Sequence, residues 1–217
     1  MYTQGQYKVG SIAVSINSIS VAGKPGKSPR PIIVRKYGSQ IFDPYPWNKR
    51  PTWSNTDLLN YVKSVNTQDT VNSNVFCNTW SDDFLRAVAE GDLTDEALKQ
   101  ATLTENFNIY EDISVQLQQV AKLINTQVLR GVEREVFFVE SKGWDHHADV
   151  NKYLSTWLTY MNTALSVFWK EMKAQGMEDN VVIVEISEFG RTLSPNGSNG
   201  NDHAWGGHYF MTGKNYS

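Results

Sequence analysis

The chain has 217 residues, 40% hydrophobic and 20% charged, with seven Trp and ten Tyr, the balance of a globular protein and not of a disordered one. A formal net charge of −3 without any basic run argues against a nucleic-acid partner, and no apolar stretch approaches the roughly 20 residues of a membrane span. The single cysteine, Cys77, excludes an internal disulfide framework and a multi-cysteine zinc site.

Residues 1–105 read as an accessory region. The opening Met1-Tyr-Thr-Gln-Gly-Gln-Tyr-Lys8 lacks the apolar centre of a signal peptide. Ile12, Val14 and Ile16 alternate with small or polar residues and predict a half-buried strand. Gly23-Lys-Pro-Gly26 breaks the chain, and Pro31-Ile-Ile-Val34 predicts a second short strand. Pro44, Pro46 and Pro51, with Trp47 among them, predict an irregular crossing. Short helices follow: one capped at Ser54 or Asn55 and running through Tyr61 and Val65, and one capped at Ser81 that stops at Gly91. A third starts at Thr94, with Asp95 and Glu96 in its first turn. Cys77 has no basic neighbour in sequence and reads as a buried structural residue.

Residues 106–217 read as the core. Ile113, Leu117, Val120, Ala121, Ile124 and Val128 form one stripe of an amphipathic helix that Gly131 ends. A strand over Glu135–Glu140 follows. The longest helix spans Val150–Gln175, roughly 39 Å at the helical rise, with a stripe from Val150 through Trp157 and Phe168 to Met172 and Gly176 at its C′ position. Val181–Ile186 is a second apolar run. Strand, helix and strand in this order predict a parallel sheet with flanking helices, in an α/β fold. In such sheets ligands bind beyond the carboxyl ends of the strands.

All four histidines fall just there: His146 and His147 beside Asp145, then His203 and His208 beside Asp202. Carboxylates mixed with imidazoles suit Zn²⁺, Mn²⁺ or a similar divalent ion. Gly143 permits a turn that lets Asp145 and a histidine face one place. Asn196-Gly197 predicts a tight turn in the loop Ser194–Asn201, and Gly206-Gly207 permits close backbone approach to a ligand. Glu188 and Arg191, after the second strand, offer a metal-binding carboxylate and a clamp for an anion. A polar surface loop with an ordinary ion pair is the plainer alternative. No His-Glu-x-x-His occurs, which leaves a metalloprotease without support.

Gly143-Trp-Asp-His-His147, Ser187-Glu-Phe-Gly-Arg-Thr192 and Asn201-Asp-His-Ala-Trp-Gly-Gly-His208 together resemble the family called domain of unknown function 1501. That family usually shows Gly-Phe/Trp-Asp-Thr-His, Ser-Glu-Phe-Gly-Arg-Thr and Thr-Asp-His-Gly in this order, within the alkaline phosphatase and sulfatase superfamily. The likeness covers roughly residues 110–213, and the earlier half matches loosely. It implies a partial alkaline-phosphatase-like sandwich with metal at the strand ends. Asp145 and His147 match the family's Asp-x-His, with His146 in place of Thr, and Asp202 and His203 match its Asp-His. His208 takes the place of a later histidine. Glu188 and Phe189 stand where many superfamily members carry an Asp-His pair for a second metal; Glu188 can ligate and Phe189 cannot.

The superfamily's first metal-binding Asp and its Ser or Thr nucleophile come from earlier strands. The resemblance therefore implies one incomplete domain, truncated at both ends, whose missing partner is an N-terminal segment of the same protein. The expected function is that of a fragment or degenerate copy of a metal-dependent phosphatase- or sulfatase-like hydrolase of small anionic esters, inactive alone. The alternative is a non-catalytic metal- or ligand-binding surface module of the same fold. The export signals common in the family imply an extracytoplasmic location.

Overall fold

The computed structural model describes residues 2–4, 7–14, 32–34, 55–66 and 75–214. They form a mixture of helix and strand with one small sheet that is mostly parallel. The chain divides into two compact units interleaved in sequence: Met1–Ala101 with Thr126–Phe138, and Thr102–Asn125 with Val139–Ser217. No helix among the described residues is long and apolar enough to cross a membrane.

The first unit is organised on β2 (Tyr7–Ala13). β1 (Tyr2–Gln4) folds back on it antiparallel, with Tyr2 opposite Val9. β3 (Ile32–Ile33) and β4 (Arg134–Phe138) run parallel to it, with Ile12 opposite both Ile32 and Phe137. β4 overlaps both other partners along β2, so it holds one edge while β1 and β3 share the other. Ser11, Ile12, Ala13 and Val14 are all buried. β2 is therefore covered on both faces, where the alternation predicts one; small Ser11 and Ala13 let the second face close. Ile16, Gly23, Gly26, Pro31, Pro44, Pro46, Trp47, Pro51 and Ser54 lie outside the described residues.

Helix α1 (Asn55–Val65) forms, but Tyr61 and Val65 are exposed. Polar contacts tie it to α2: Lys63 to Asp92 at 3.2 Å, and Ser81 Oγ to Asn66 Oδ1 at 3.2 Å. α2 is one helix of 26 residues, Val75–Gln100, where Gly91 and Thr94 predict a break. Gly91 sits on a buried line of mostly small residues, Ser81, Val88, Gly91, Thr94 and Ala97, and burial along that line outweighs the roughly 1 kcal/mol that a mid-helix glycine costs. Thr94 Oγ1 donates back to Glu90 O at 2.8 Å and stays within the helix. Cys77 is exposed, contrary to the expected burial. After the short α4 (Gln127–Arg130), Gly131 takes φ 60° and closes the helix end. Arg130 then forks onto Glu135 with two 2.6 Å bonds, and both side chains are buried.

The second unit packs α3 (Asp112–Asn125) on α5 (Val150–Ala174). Thr126, with φ −104° and ψ 12°, separates α3 from α4, so the expected single helix is two. The core is Val115, Leu117, Val120, Ala121, Leu123 and Ile124 against Ala164, Phe168 and Met172. α5 has close to the predicted limits, with Gly176 left-handed at φ 69°. Its stripe is fully buried only near the C-terminus; Leu154, Trp157, Met161 and Leu165 are half-buried. Glu171 is fully buried and accepts from Thr104 N at 2.9 Å, Glu105 N at 2.8 Å and Gln175 Nε2 at 2.7 Å. That carboxylate anchors the segment before α3 to α5.

β5 (Val182–Glu185) does not pair with β4. It pairs antiparallel with β8 (Phe210–Gly213), Val184 opposite Met211. The physical reason shows in its exposure: Val182 and Val184 face solvent, so this apolar run is not covered on both faces. Between β5 and β8, β6 (Gly190–Arg191) and β7 (His203–Ala204) form a short antiparallel pair, Arg191 opposite His203.

Candidate metal centre

Two loop segments of the second unit make the site. The first begins at Glu140, whose N and O are held by the Gln116 side-chain amide at 2.9 and 2.7 Å. Gly143 then takes φ 95°, and a Cβ there would sit 2.7 Å from the Trp157 ring. Only glycine suits that combination of backbone and space. Asp145, His146 and His147 follow, before α5 starts at Val150.

The second segment is the loop after β6. Asn196 Oδ1 accepts from Ser198 N and Gly200 N, both at 3.0 Å, which folds the loop on itself. Its Nδ2 donates outward to His147 O at 3.0 Å and Asp202 Oδ1 at 3.1 Å. Ser198 O and Asn199 O accept from Asp149 N and Val150 N at 3.1 and 3.0 Å. Loop carbonyls thus satisfy the start of α5, whose Asp149 cap is left-handed and makes no side-chain cap bond.

The chemistry converges on Asp145 Oδ1. His203 Nε2 lies 2.8 Å from it and His147 Nε2 3.0 Å, and Arg191 Nη2 donates to the same oxygen. The ligand atoms of Asp145, His147 and His203 all lie within 4.8 Å of one another. For bonds of 2.0–2.1 Å, tetrahedral ligands stand about 3.3 Å apart. The two short edges therefore need to open by a few tenths of an ångström, and all three side chains are half-exposed. Two imidazoles and a carboxylate with an open side fit a zinc-like or manganese-like ion.

Asp202 is not among those three. Its Oδ1 lies 3.1 Å from His147 Nδ1, the ring nitrogen away from Asp145. This is the arrangement in which a carboxylate fixes the tautomer and plane of a ligating histidine. Arg191 is tied internally: Nη1 donates to Asn201 O at 2.6 Å and Nη2 also reaches Trp144 O at 3.4 Å. Hydrogen bonding from His203 is the largest influence on the Asp145 carboxyl and, with that from Arg191, holds it below its ordinary value against an opposing loss of solvation. Asn196, then His147, does the same for Asp202.

Of the remaining sequence candidates, Glu188 and His208 are exposed and outside the convergent set. His146 turns away and stacks on Tyr153 at 5.5 Å; its Nε2 is buried with no hydrogen-bond partner, and that burial lowers its pKa. Gly206 approaches backbone, with its N–H on Arg191 O at 3.0 Å. Sequence reasoning missed three contributors. Asn196 reads as a turn residue and is also the clasp between the loops. Phe189 stacks on His203 at 4.1 Å. Gly200 packs directly on the His147 backbone. Only the Asn-Gly-Ser-Asn-Gly composition of that loop hinted at such close contact.

No curated protein and no solved structure matches the chain. The profile of the family described as "Protein of unknown function (DUF1501)" matches residues 80–215, a span that contains every residue of the centre, and the chain belongs to that family.

Proposed function

We propose that Asp145, His147 and His203 hold a divalent cation, Zn²⁺ or Mn²⁺, at the centre of a phosphatase- or sulfatase-like hydrolase fold, and that these 217 residues bind the cation without turnover. One observation carries this reading. In the tautomer whose Nδ1–H donates to Asp202 Oδ1, a neutral His147 presents only a lone pair at Nε2, 3.0 Å from an Asp145 carboxylate oxygen. Two acceptors at that distance repel. A proton on Nε2 or a bound cation resolves the conflict, and for a bound cation the second imidazole, 2.8 Å from the same oxygen, supplies a third donor atom.

A bound ion would polarise an ester oxygen of a small phosphate or sulfate ester and stabilise the negative charge that develops there. The chain's own groups orient that centre: Asp202 fixes the His147 ring and Arg191 holds Asp145. The hydroxyls of the central motif are occupied. Ser187 Oγ donates to Phe189 O at 2.9 Å; Thr192 Oγ1 donates to Ser194 O at 2.9 Å and accepts from Asp202 N at 3.2 Å. Those bonds favour binding over nucleophilic chemistry and also support the second reading, a non-catalytic metal-binding module.

Calorimetric titration of the purified chain with Zn²⁺ and Mn²⁺ tests the centre. The expected result is one ion per chain, with binding lost in His203→Ala. Absence of binding overturns the centre. Metal-dependent hydrolysis of an aryl phosphate or sulfate, abolished by His203→Ala, overturns the claim of binding without turnover.

A further inference from the structure

Phe189 occupies a position that a ligand search passes over, because its side chain has no donor atom. Its surroundings give it a different task. Phe189 and Arg191 are two residues apart at the β6 edge, and Arg191 is opposite His203 across the β6–β7 pair. The period of two along a strand puts Phe189, Arg191 and His203 on one face. The Phe189 ring lies 4.1 Å from the His203 ring with the planes 19° apart, and the Arg191 guanidinium carbon is 4.9 Å from the same ring centroid. Both His203 and Arg191 contact Asp145 Oδ1. Gly190, between the two, points to the other face, where a Cβ would meet Ala204 O and Trp205 C at 2.7 Å. That close backbone contact, with Ser187 Oγ bonded to Phe189 O at 2.9 Å, fixes where the ring stands.

We propose that Phe189 is a positioning residue of the metal centre: its face sets the plane of His203 and supports Arg191, so that Nε2 and the guanidinium both meet Asp145. The proposal rests on the cation reading above. An imidazole offers its lone pair only in the ring plane, so a ring free to rotate presents the donor atom to the ion for a fraction of the time. A planar π-face restricts that rotation without adding a competing ligand, and Arg191 gains from the same face.

The test uses Co²⁺ as the probe, titrated into the full chain and into Phe189→Leu and Phe189→Tyr, with affinity and the visible ligand-field spectrum read together. Phe189→Leu should bind about tenfold more weakly, the scale of losing an outer partner of a ligand, with an altered spectrum, and Phe189→Tyr should restore both. In the metal-free protein the His203 ring protons should resonate upfield, shifted by the Phe189 ring current, and return downfield in Phe189→Leu. Unchanged affinity and spectrum in Phe189→Leu overturn this proposal and leave the cation reading intact. His203 protons at ordinary positions in the unmodified protein also overturn it, whether or not the variants fold. Failure of the unmodified chain to bind Co²⁺, Zn²⁺ or Mn²⁺ overturns the cation reading, and this proposal with it.

Discussion

Replacing Gly200 with alanine should dismantle the centre while leaving the side chain of every candidate ligand unaltered. A Cβ at this position would stand 2.1 Å from His147 C, 2.3 Å from His147 O and 2.4 Å from Ala148 N, all backbone atoms. Carbon contacts settle at about 3.5–4.0 Å, so the two loops must separate by more than about 1 Å. Four hydrogen bonds cross the same seam: Asp149 N to Ser198 O at 3.1 Å, Val150 N to Asn199 O at 3.0 Å, Asn201 N to His146 O at 3.4 Å and Asn196 Nδ2 to His147 O at 3.0 Å. Adding about 1 Å takes each out of bonding range. At about 1 kcal/mol net apiece, the loss reaches about 4 kcal/mol if the seam opens as a unit. The matched control is Gly197→Ala, where a Cβ would meet nothing within 4 Å. Thermal melting and Zn²⁺ titration of both variants decide the matter. Gly200→Ala should melt lower, by about 2–4 °C for each kcal/mol lost, and bind weakly or not at all, while Gly197→Ala behaves as the parent. A Gly200→Ala protein with parental melting and affinity would refute the claim that backbone apposition builds this site.

Asp202→Ala should weaken Zn²⁺ binding by about 10- to 100-fold with little change in melting, and Asp202→Asn, which keeps an acceptor for His147 Nδ1, should fall between; equal affinity in all three would remove Asp202 from the centre. Arg130→Met leaves the buried Glu135 carboxylate without its fork and should cost about 3–5 kcal/mol in denaturant unfolding, whereas Arg130→Met with Glu135→Leu should recover most of that. Hydrogen bonds from Lys214 to Asp179 and Glu178 raise the lysine pKa above its ordinary 10.5. Its stabilising contribution is therefore complete below 10.5 and lost as pH rises through the raised value, so melting measured from pH 9 upward should fall more steeply in the parent than in Lys214→Met.

The lines of this architecture that the sequence carries are those fixed by local chemistry. Gly143, Gly131 and Gly176 mark left-handed turns where the pattern puts them, and α5 follows its apolar stripe. What sequence could not carry is the identity of a partner. Val181–Ile186 reads the same whether both faces are covered or one meets solvent, and pairing with β8 decides it. Gly91 reads as a helix stop because no sequence signal announces that it lies on a buried line of a helix that continues through it. At the site, Asp145 and His147 are legible from their spacing, and His203 from its Asp-His context. Phe189 is not, because its task exists only once β6 and β7 pair. Asp202 is legible as a carboxylate of the candidate centre, but which His147 nitrogen it faces is a matter of three-dimensional register.

Water decides how far such a centre can go beyond binding. The side chains of Asp145, His147, Asp202 and His203 are each about half-exposed, at 53%, 50%, 59% and 51%. Charges this open to solvent interact through a high effective dielectric, where a pair 4 Å apart gains about 1 kcal/mol in place of several. Holding an ion needs little more than donor atoms near the right spacing, and the two loops bring three within 4.8 Å of one another. Lowering an ester-cleavage barrier needs those same charges in a dry site, where each acts at full strength on the transition state. A partner surface that covered Asp145 and His203 would therefore raise turnover through exclusion of water even if it contributed no new ligand.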